Sequence, residues 1–281
     1  MRNFGRKIGL LIADDSGQAL DLSGFRVAFS VEKTAAETPN TAKIDIWNLS
    51  ESTASRILSG DMKRIVLQAG YESNAAVIFD GNIIKSTRAR TGADVIVSIE
   101  AGDGDRAYTY AVVSESVGSG YTDSDVAKAA ASGMVDRGAK GVTATDVESG
   151  VRYPRGRVLY GPSRKVAREV AKTTDCQWSI QDGRVTFCKV ESAAKGKQAF
   201  LLSPTSGLVG APKVDKDGVT ASSCLNPVLR IYDPIMIESE FVKGTYKILT
   251  VKHDGDTHAS VWTTEITGAA IDVSSSKTTQ R

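Results

Sequence analysis

The sequence has little of what covalent and redox chemistry requires. It holds three cysteines and two histidines in 281 residues. Cys176, Cys188 and Cys224 are odd in number and never close together, which argues against both a disulfide framework and a zinc knuckle. They read as small buried apolar residues of a reducing compartment. No Gly-x-Ser-x-Gly elbow, no Walker loop and no cysteine beside a histidine occurs. Aromatic residues make up 6% of the chain, low for a surface that stacks on sugars. Neither charge sign dominates: 35 basic against 33 acidic residues leave +2, so bulk electrostatics gives no case for nucleic-acid binding. The basic start Arg2–Lys7 leads only into Ile8–Ala13, too short for a signal peptide or a membrane span. The expectation is a protein made in the cytoplasm, kept there or exported inside a larger assembly, without membrane insertion.

What is present is an ordinary globular composition, 41% apolar and 24% charged, long enough for two domains or three small ones. Twenty-six glycines against seven prolines suit many tight turns. The stretch from Ala42 to Tyr71 organises the rest. Ala42, Ile44 and Ile46 alternate with Lys43, Asp45 and Trp47, the period of a half-buried strand. Asn48 ends it, Ser50 caps a helix over Glu51–Leu58 with Ala54, Ile57 and Leu58 inward, and Arg64–Ala69 returns as a strand closing on Gly70-Tyr71.

Residues 1–110 read as nearly all strand: Ile8–Ala13, Phe25–Val31 with its odd-numbered residues on one face, Val77–Phe79, a turn at Asp80-Gly81, Asn82–Arg88, and Val95–Glu100. Residues 111–190 change period. Thr122 and Asp125 form a capping box for a helix lined by Val126, Ala127, Ala130, Ala131, Met134 and Val135. Pro162-Ser163 opens a second helix, lined by Val166, Ala167, Val170 and Ala171. Cys176–Ile180 and Val185–Lys189 flank Asp182-Gly183, a hairpin signal. Glu191–Gln198 reads as a linker, residues 199–270 as strands again, and Ser274–Arg281 as a frayed tail. The architecture expected is therefore mainly β with an α+β insert. An internal echo is also expected: Gly81 and Gly92 are spaced like Gly244 and Gly255, and Ile65-Val66-Leu67 corresponds to Ile235-Met236-Ile237.

Few residues suggest chemistry. His253-Asp254-Gly255-Asp256-Thr257-His258 has metal-binding types, yet a hairpin turn on Asp254-Gly255 explains the run more simply, so no metal is expected and alanine at both histidines should be neutral. Gly102-Asp103-Gly104-Asp105 lacks the downstream glutamate of a calcium loop and reads as a turn. Arg152-Tyr153-Pro154-Arg155-Gly156-Arg157 interleaves an aromatic with three arginines; a solvated loop is the plainer reading, contact with phosphate or an acidic partner the other. Asn226-Pro227 reads first as a turn, and Trp47 and Trp262 as core or seam before interface anchors.

The runs IWNLSESTASRIL, VLQAGY and IFDGNI, followed by CLNP and KHDGDTHASVWTTEITG, resemble the baseplate hub proteins of contractile-tailed bacteriophages. The resemblance implies two tube-protein-like antiparallel β-barrel domains, residues 1–110 and 191–281, flanking the α+β module. It implies a homotrimer whose six barrels form a pseudo-sixfold ring, joining a sixfold tail tube to a threefold spike. Partners would be the spike, the tail tube or tube-initiator protein and other baseplate proteins, with DNA only in transit; no cofactor or catalytic residue is implied. Candidate interface residues are Trp47, Asn48, Leu49, Gly70, Tyr71, Asn226 and Pro227, which match the family pattern, and Arg152, Arg155 and Arg157 from the basic cluster. The competing reading is a small β-rich cell-wall hydrolase or carbohydrate-binding module.

Overall fold

Alternation of apolar and polar side chains puts most of this chain into strands. The computed structural model describes residues 4–143, 146–147, 150–194, 197–216 and 218–271. The tail Ser274–Arg281 and residues 195–196 of the expected linker lie outside them. The first third runs β1 (Arg6–Asp14), β2 (Ala19–Asp21), β3 (Val27–Thr34), β4 (Asn40–Trp47), α1 (Glu51–Leu58), β5 (Met62–Tyr71), β6 (Ala76–Thr91) and β7 (Asp94–Asp103). The middle third is α2 (Asp105–Tyr110), β8 (Val112–Val117), α3 (Asp123–Val135), β9 (Gly141–Thr143), β10 (Arg157–Pro162), α4 (Ser163–Thr173), β11 (Cys176–Gln181) and β12 (Arg184–Lys189). The last is β13 (Phe200–Leu202), β14 (Leu208–Val214), β15 (Val219–Cys224), β16 (Pro234–Glu238), β17 (Lys243–Asp256) and β18 (Trp262–Ala270).

The organising stretch folds as its pattern dictates. Ala42, Ile44 and Ile46 are buried while Lys43 is exposed. Asn48 stops the strand in the left-handed region at φ 56°, which asparagine tolerates better than most residues. Its amide clamps the neighbouring hairpin, donating to Asp94 at 2.9 Å and accepting from the Val95 N–H at 3.0 Å. Ser50 Oγ accepts from the Thr53 N–H at 3.2 Å, and α1 buries Ala54 and Ile57. Leu58, expected inward, is 38% exposed. Phe25 likewise precedes β3 and leaves its core face, and Val135 at the end of α3 faces out.

Two turns expected from Asp-Gly pairs are strand interior instead. β6 is continuous through Asp80-Gly81, because Asp80 is held by Arg64 and Lys140, each at 2.7 Å, and Gly81 is pressed between strands. A Cβ there would lie 2.6 Å from the Gly102 carbonyl oxygen. β17 likewise runs through Asp254-Gly255, and the chain turns only after Asp256. A Cβ on Gly255 would meet the Phe29 ring at 2.4 Å, so this glycine answers to crowding rather than to a turn. At Asp182-Gly183, by contrast, both residues have positive φ and the hairpin forms as expected.

Three cores result. The first packs β3, β4, β5 and β7 with α1 around Val27, Ile44, Ile46, Ile57 and Leu67, and takes in Leu225 and Trp262 from the last third. The second packs α3 and α4 against β11 and β12 around Ala130, Met134, Ala167, Trp178 and Phe187. The third gathers Leu202, Ile235, Ile237, Ile248, Val251 and Ile266. Ala107 of α2 packs in the second core. The outer thirds are not separate sheets: their strands join one sheet of thirteen, and no closed barrel forms among the described residues.

That sheet contains a repeated order. Strands β3-β4-β7-β6-β5 are hydrogen-bonded neighbours, all antiparallel, and so are β14-β15-β18-β17-β16. The same bulge marks both, after Ile83 in β6 and after Ile248 in β17. Matching the bulges sets Ile65-Val66-Leu67 against Ile235-Met236-Ile237, as the echo requires. It sets Gly81 against Tyr246 and Gly92 against Thr257, so the equal glycine spacing is coincidence. The halves also differ: β1 joins β5 antiparallel, while β13 joins β16 in parallel.

Candidate functional site

The groups with most chemistry lie at the joints between the three cores, where Lys33, Asp182, Lys197, Arg230, Tyr232 and Asp233 line one cavity, and at the ends of the sheet. Among the described residues no cluster of three His, Cys, Asp or Glu side chains could hold a metal. The two histidines do not converge. His253 is 1% exposed within β17, its Nδ1 2.8 Å from Thr264 Oγ1, and burial pushes its pKa down to about 3. His258 lies on the exposed turn against Thr257.

The hairpin β11–β12 docks the module onto both outer thirds. Asn40, buried at the start of β4, donates to the Ile180 carbonyl at 3.1 Å and to Gln181 Oε1 at 3.0 Å. Its own oxygen accepts from the Thr34 N–H at 3.0 Å. Asp103, at the end of β7, accepts from the Gly183 N–H at 2.8 Å and from Asn40 at 3.3 Å. Burial raises the Asp103 pKa to about 6 against the opposing charge of Lys33, whose ammonium pairs with Asp182 at the hairpin turn. Ser179 meets the Tyr232 hydroxyl at 2.9 Å, and that hydroxyl reaches the Ala35 carbonyl at 3.2 Å. Lys247, fully buried, donates to the carbonyls of Lys189 and Val190, and burial lowers its pKa. Arg168 of α4 adds a paired contact to Glu37 at 2.8 and 3.1 Å. A joint this thoroughly bonded holds its parts in one arrangement, since each buried polar group would be costly unpaired.

The candidate interface residues fall into two groups. Leu49, Gly70, Tyr71 and Pro227 are buried, so they serve packing within the chain. Gly70 has φ 154°, and a Cβ would sit 2.7 Å from the Ala75 Cα. Its carbonyl accepts from Trp262 Nε1 at 3.2 Å, tying the last third to the first. Trp262 also meets Phe29 edge-on, with centroids 5.5 Å apart. Trp47, half-buried, carries the Arg26 guanidinium 4.3 Å above its ring. Asn226 makes a local turn, accepting from the Val228 N–H at 3.1 Å. Arg152, Arg155 and Arg157 are exposed, and Arg157 pairs with Glu169 at 2.8 Å.

Sequence reasoning passed over Asn40, Lys33 and Tyr232, and read Asp103 only as part of a turn. Their one signal was a polar residue interrupting an apolar face, too common to single out.

One sheet thus carries a duplicated strand order, and polar joints tie the α+β module to it. The fold is that of tail proteins. Over 95% of this chain and 97% of theirs it matches the 43 kDa tail protein of prophage MuSo2 from Shewanella oneidensis (TM-score 0.65, 7% identity) and a tail protein from Neisseria meningitidis MC58 (TM-score 0.64, 9% identity). It also matches the E. coli c3393 protein, a type VI secretion component described as structurally similar to T4 tail proteins gp27 and gp5 (TM-score 0.55, 8% identity, 89% of this chain and 74% of that one). Residues 7–268 match the model of the "Baseplate hub gp41" family, and the chain belongs to that family. It is thus a bacteriophage tail protein of the baseplate. No curated protein matches it.

Proposed function

We propose that this protein is a non-enzymatic structural hub: a homotrimer that adapts the sixfold end of the tail tube to a threefold central spike. The observation that carries the reading is the repeated five-strand order. A threefold assembly can meet six equivalent edges only if each chain presents two similar faces, and duplication of a strand set is the direct way to make them. In this reading each half contributes a tube-like barrel completed in the assembly, and the α+β module, locked by the Asn40–Asp103 joint, holds the halves at a constant angle. Spike protein, tube or tube-initiator protein and neighbouring baseplate proteins are the partners. DNA passes only in transit, and assembly takes place in the host cytoplasm. Trp47, Asn48, Asn226 and the exposed Arg152, Arg155 and Arg157 are the remaining candidates for contact with them.

Native mass spectrometry, alone and with a co-expressed spike protein, tests the reading. A trimer in either condition is expected. A chain that stays monomeric in both, and that releases product from cell-wall substrate, would overturn it in favour of the hydrolase.

A further inference from the structure

β17 is shared. Its first half pairs with β16 through Lys243–Lys247, and its second half pairs on that same side with β3 through Thr250–Asp256. This second ladder is the backbone junction between the two halves of the chain. Its counterpart in the repeat is β6. There Ala76–Asn82 pairs with β5, and the far side of Asn82–Thr91 pairs with β7. On the β5 side, residues 83–91 have no strand among the described residues. The counterpart of β3 is β14, which ends the sheet with one side open and with Val209 and Val214 49% and 56% exposed. Among the described residues the outer side of β14, at one end of the sheet, and the β5 side of residues 83–91 of β6, within it, are thus unpaired edges, and these are the two halves of a junction already made once inside the chain.

We propose that β14 of one copy adds to the bare edge of β6 in the next, repeating the β3–β17 ladder between chains; the inference rests on the trimer reading above. The register follows from the repeat. Lys213 faces Thr220 as Ser30 faces Lys43, and Ala89 faces Ile96 as Asp254 faces Thr263. Ser30 pairs with Asp254 within the chain, so Lys213 meets Ala89 of the next copy. By the same matching Val214 meets Arg88, and Val209 meets Thr91. The partner is thus a second copy of this chain, bound by strand addition with complementary rather than identical edges, the type of contact that closes into rings. Main-chain donors and acceptors on both edges are satisfied in the ring and left to water in the free chain. β14 has two extra residues between its rungs, with Gly210 at φ +70° and Pro212, which lacks an N–H. That bulge confines pairing to Val209 on one side and Lys213–Val214 on the other, so a strand with a different register fits poorly.

Cysteines at Lys213→Cys and Ala89→Cys in the same full-length chain test this under mild oxidation, with each single variant as control. Both positions are exposed, so neither change threatens the fold. Ser30→Cys with Asp254→Cys, neighbours in the existing ladder, reports how readily such a pair oxidises within one chain. Covalent dimers and closed trimers from the double variant, absent from both single variants, are the expected result. A trimer by native mass spectrometry that does not cross-link at these positions overturns the strand pairing and leaves the hub reading standing. Stronger cross-linking of Lys213→Cys to Thr87→Cys than to Ala89→Cys overturns the register. A chain that neither cross-links nor forms a trimer overturns both.

Discussion

Raising the pH through the weakly acidic range should loosen the joint between the module and the first third, and Asp103 is the cause. Its carboxyl is 2% exposed, and burial lifts its pKa from 3.8 to about 6. The folded chain therefore keeps this proton to about pH 6, whereas the unfolded chain releases it near pH 4. Stability from the group is fully present below the unfolded value and is lost as pH rises through the folded one. At about 1.4 kcal/mol per unit, the loss is about 3 kcal/mol. His253 has the opposite sign: burial depresses its pKa from 6.5 to about 3, so its contribution is present above 6.5 and is lost on acidification. The two slopes overlap, and the raw pH profile mixes them. Asp103→Asn separates them, because the amide oxygen can still accept from Gly183 while the titration disappears. Denaturant unfolding of wild type and variant between about pH 4 and pH 7 should give a difference that moves by about 3 kcal/mol in the variant's favour as pH rises. Hydrogen exchange at the Gly183 amide should follow the same course locally. A pH-independent difference would refute the reasoning.

Other outcomes follow from single contacts. Trp262→Phe removes the indole donor to the Gly70 carbonyl and should cost about 1–3 kcal/mol in the same unfolding assay. Gly70→Ala, forced against the Ala75 Cα from an unfavourable φ, should cost more than about 2 kcal/mol and lower the thermal midpoint. The two histidines should part company: His253→Ala leaves a cavity and an unpaired Thr264 and should cost about 2–4 kcal/mol, whereas His258→Ala should leave the midpoint unchanged. Added zinc should restore neither variant.

Much of the local structure was legible because it depends on neighbours in sequence. The β4 alternation, the Ser50 and Thr122 caps and the Asp182-Gly183 hairpin each rest on contacts within a few residues. The candidate interface was less legible. Trp47, Asn48 and Asn226 keep some access to solvent, whereas Leu49, Gly70, Tyr71 and Pro227 are buried within the chain. A recurrent motif marks a constraint without saying whether that constraint is internal or external. The polar joint was almost silent, since Asn40, Lys33 and Tyr232 lie far apart in sequence and acquire their partners only when three cores meet.

The sequence by itself determined the mainly antiparallel β character, the helical interruption after Thr122, the absence of a conventional catalytic motif and the resemblance to baseplate hubs. Periodicity, capping and motif order are short-range properties, written directly in the residues. Only the tertiary structure decided which glycines turn the chain. Gly183 does so with positive φ on both turn residues, while Gly81 and Gly255 sit inside long strands because the Gly102 backbone and the Phe29 ring leave no room for a side chain. Only the structure decided, too, that the outer thirds share one sheet, with β17 serving both β16 and β3 and the matching half of β6 without a strand among the described residues. Register between distant strands depends on bulges and on how whole faces pack, and equal spacing of two glycine pairs contains neither.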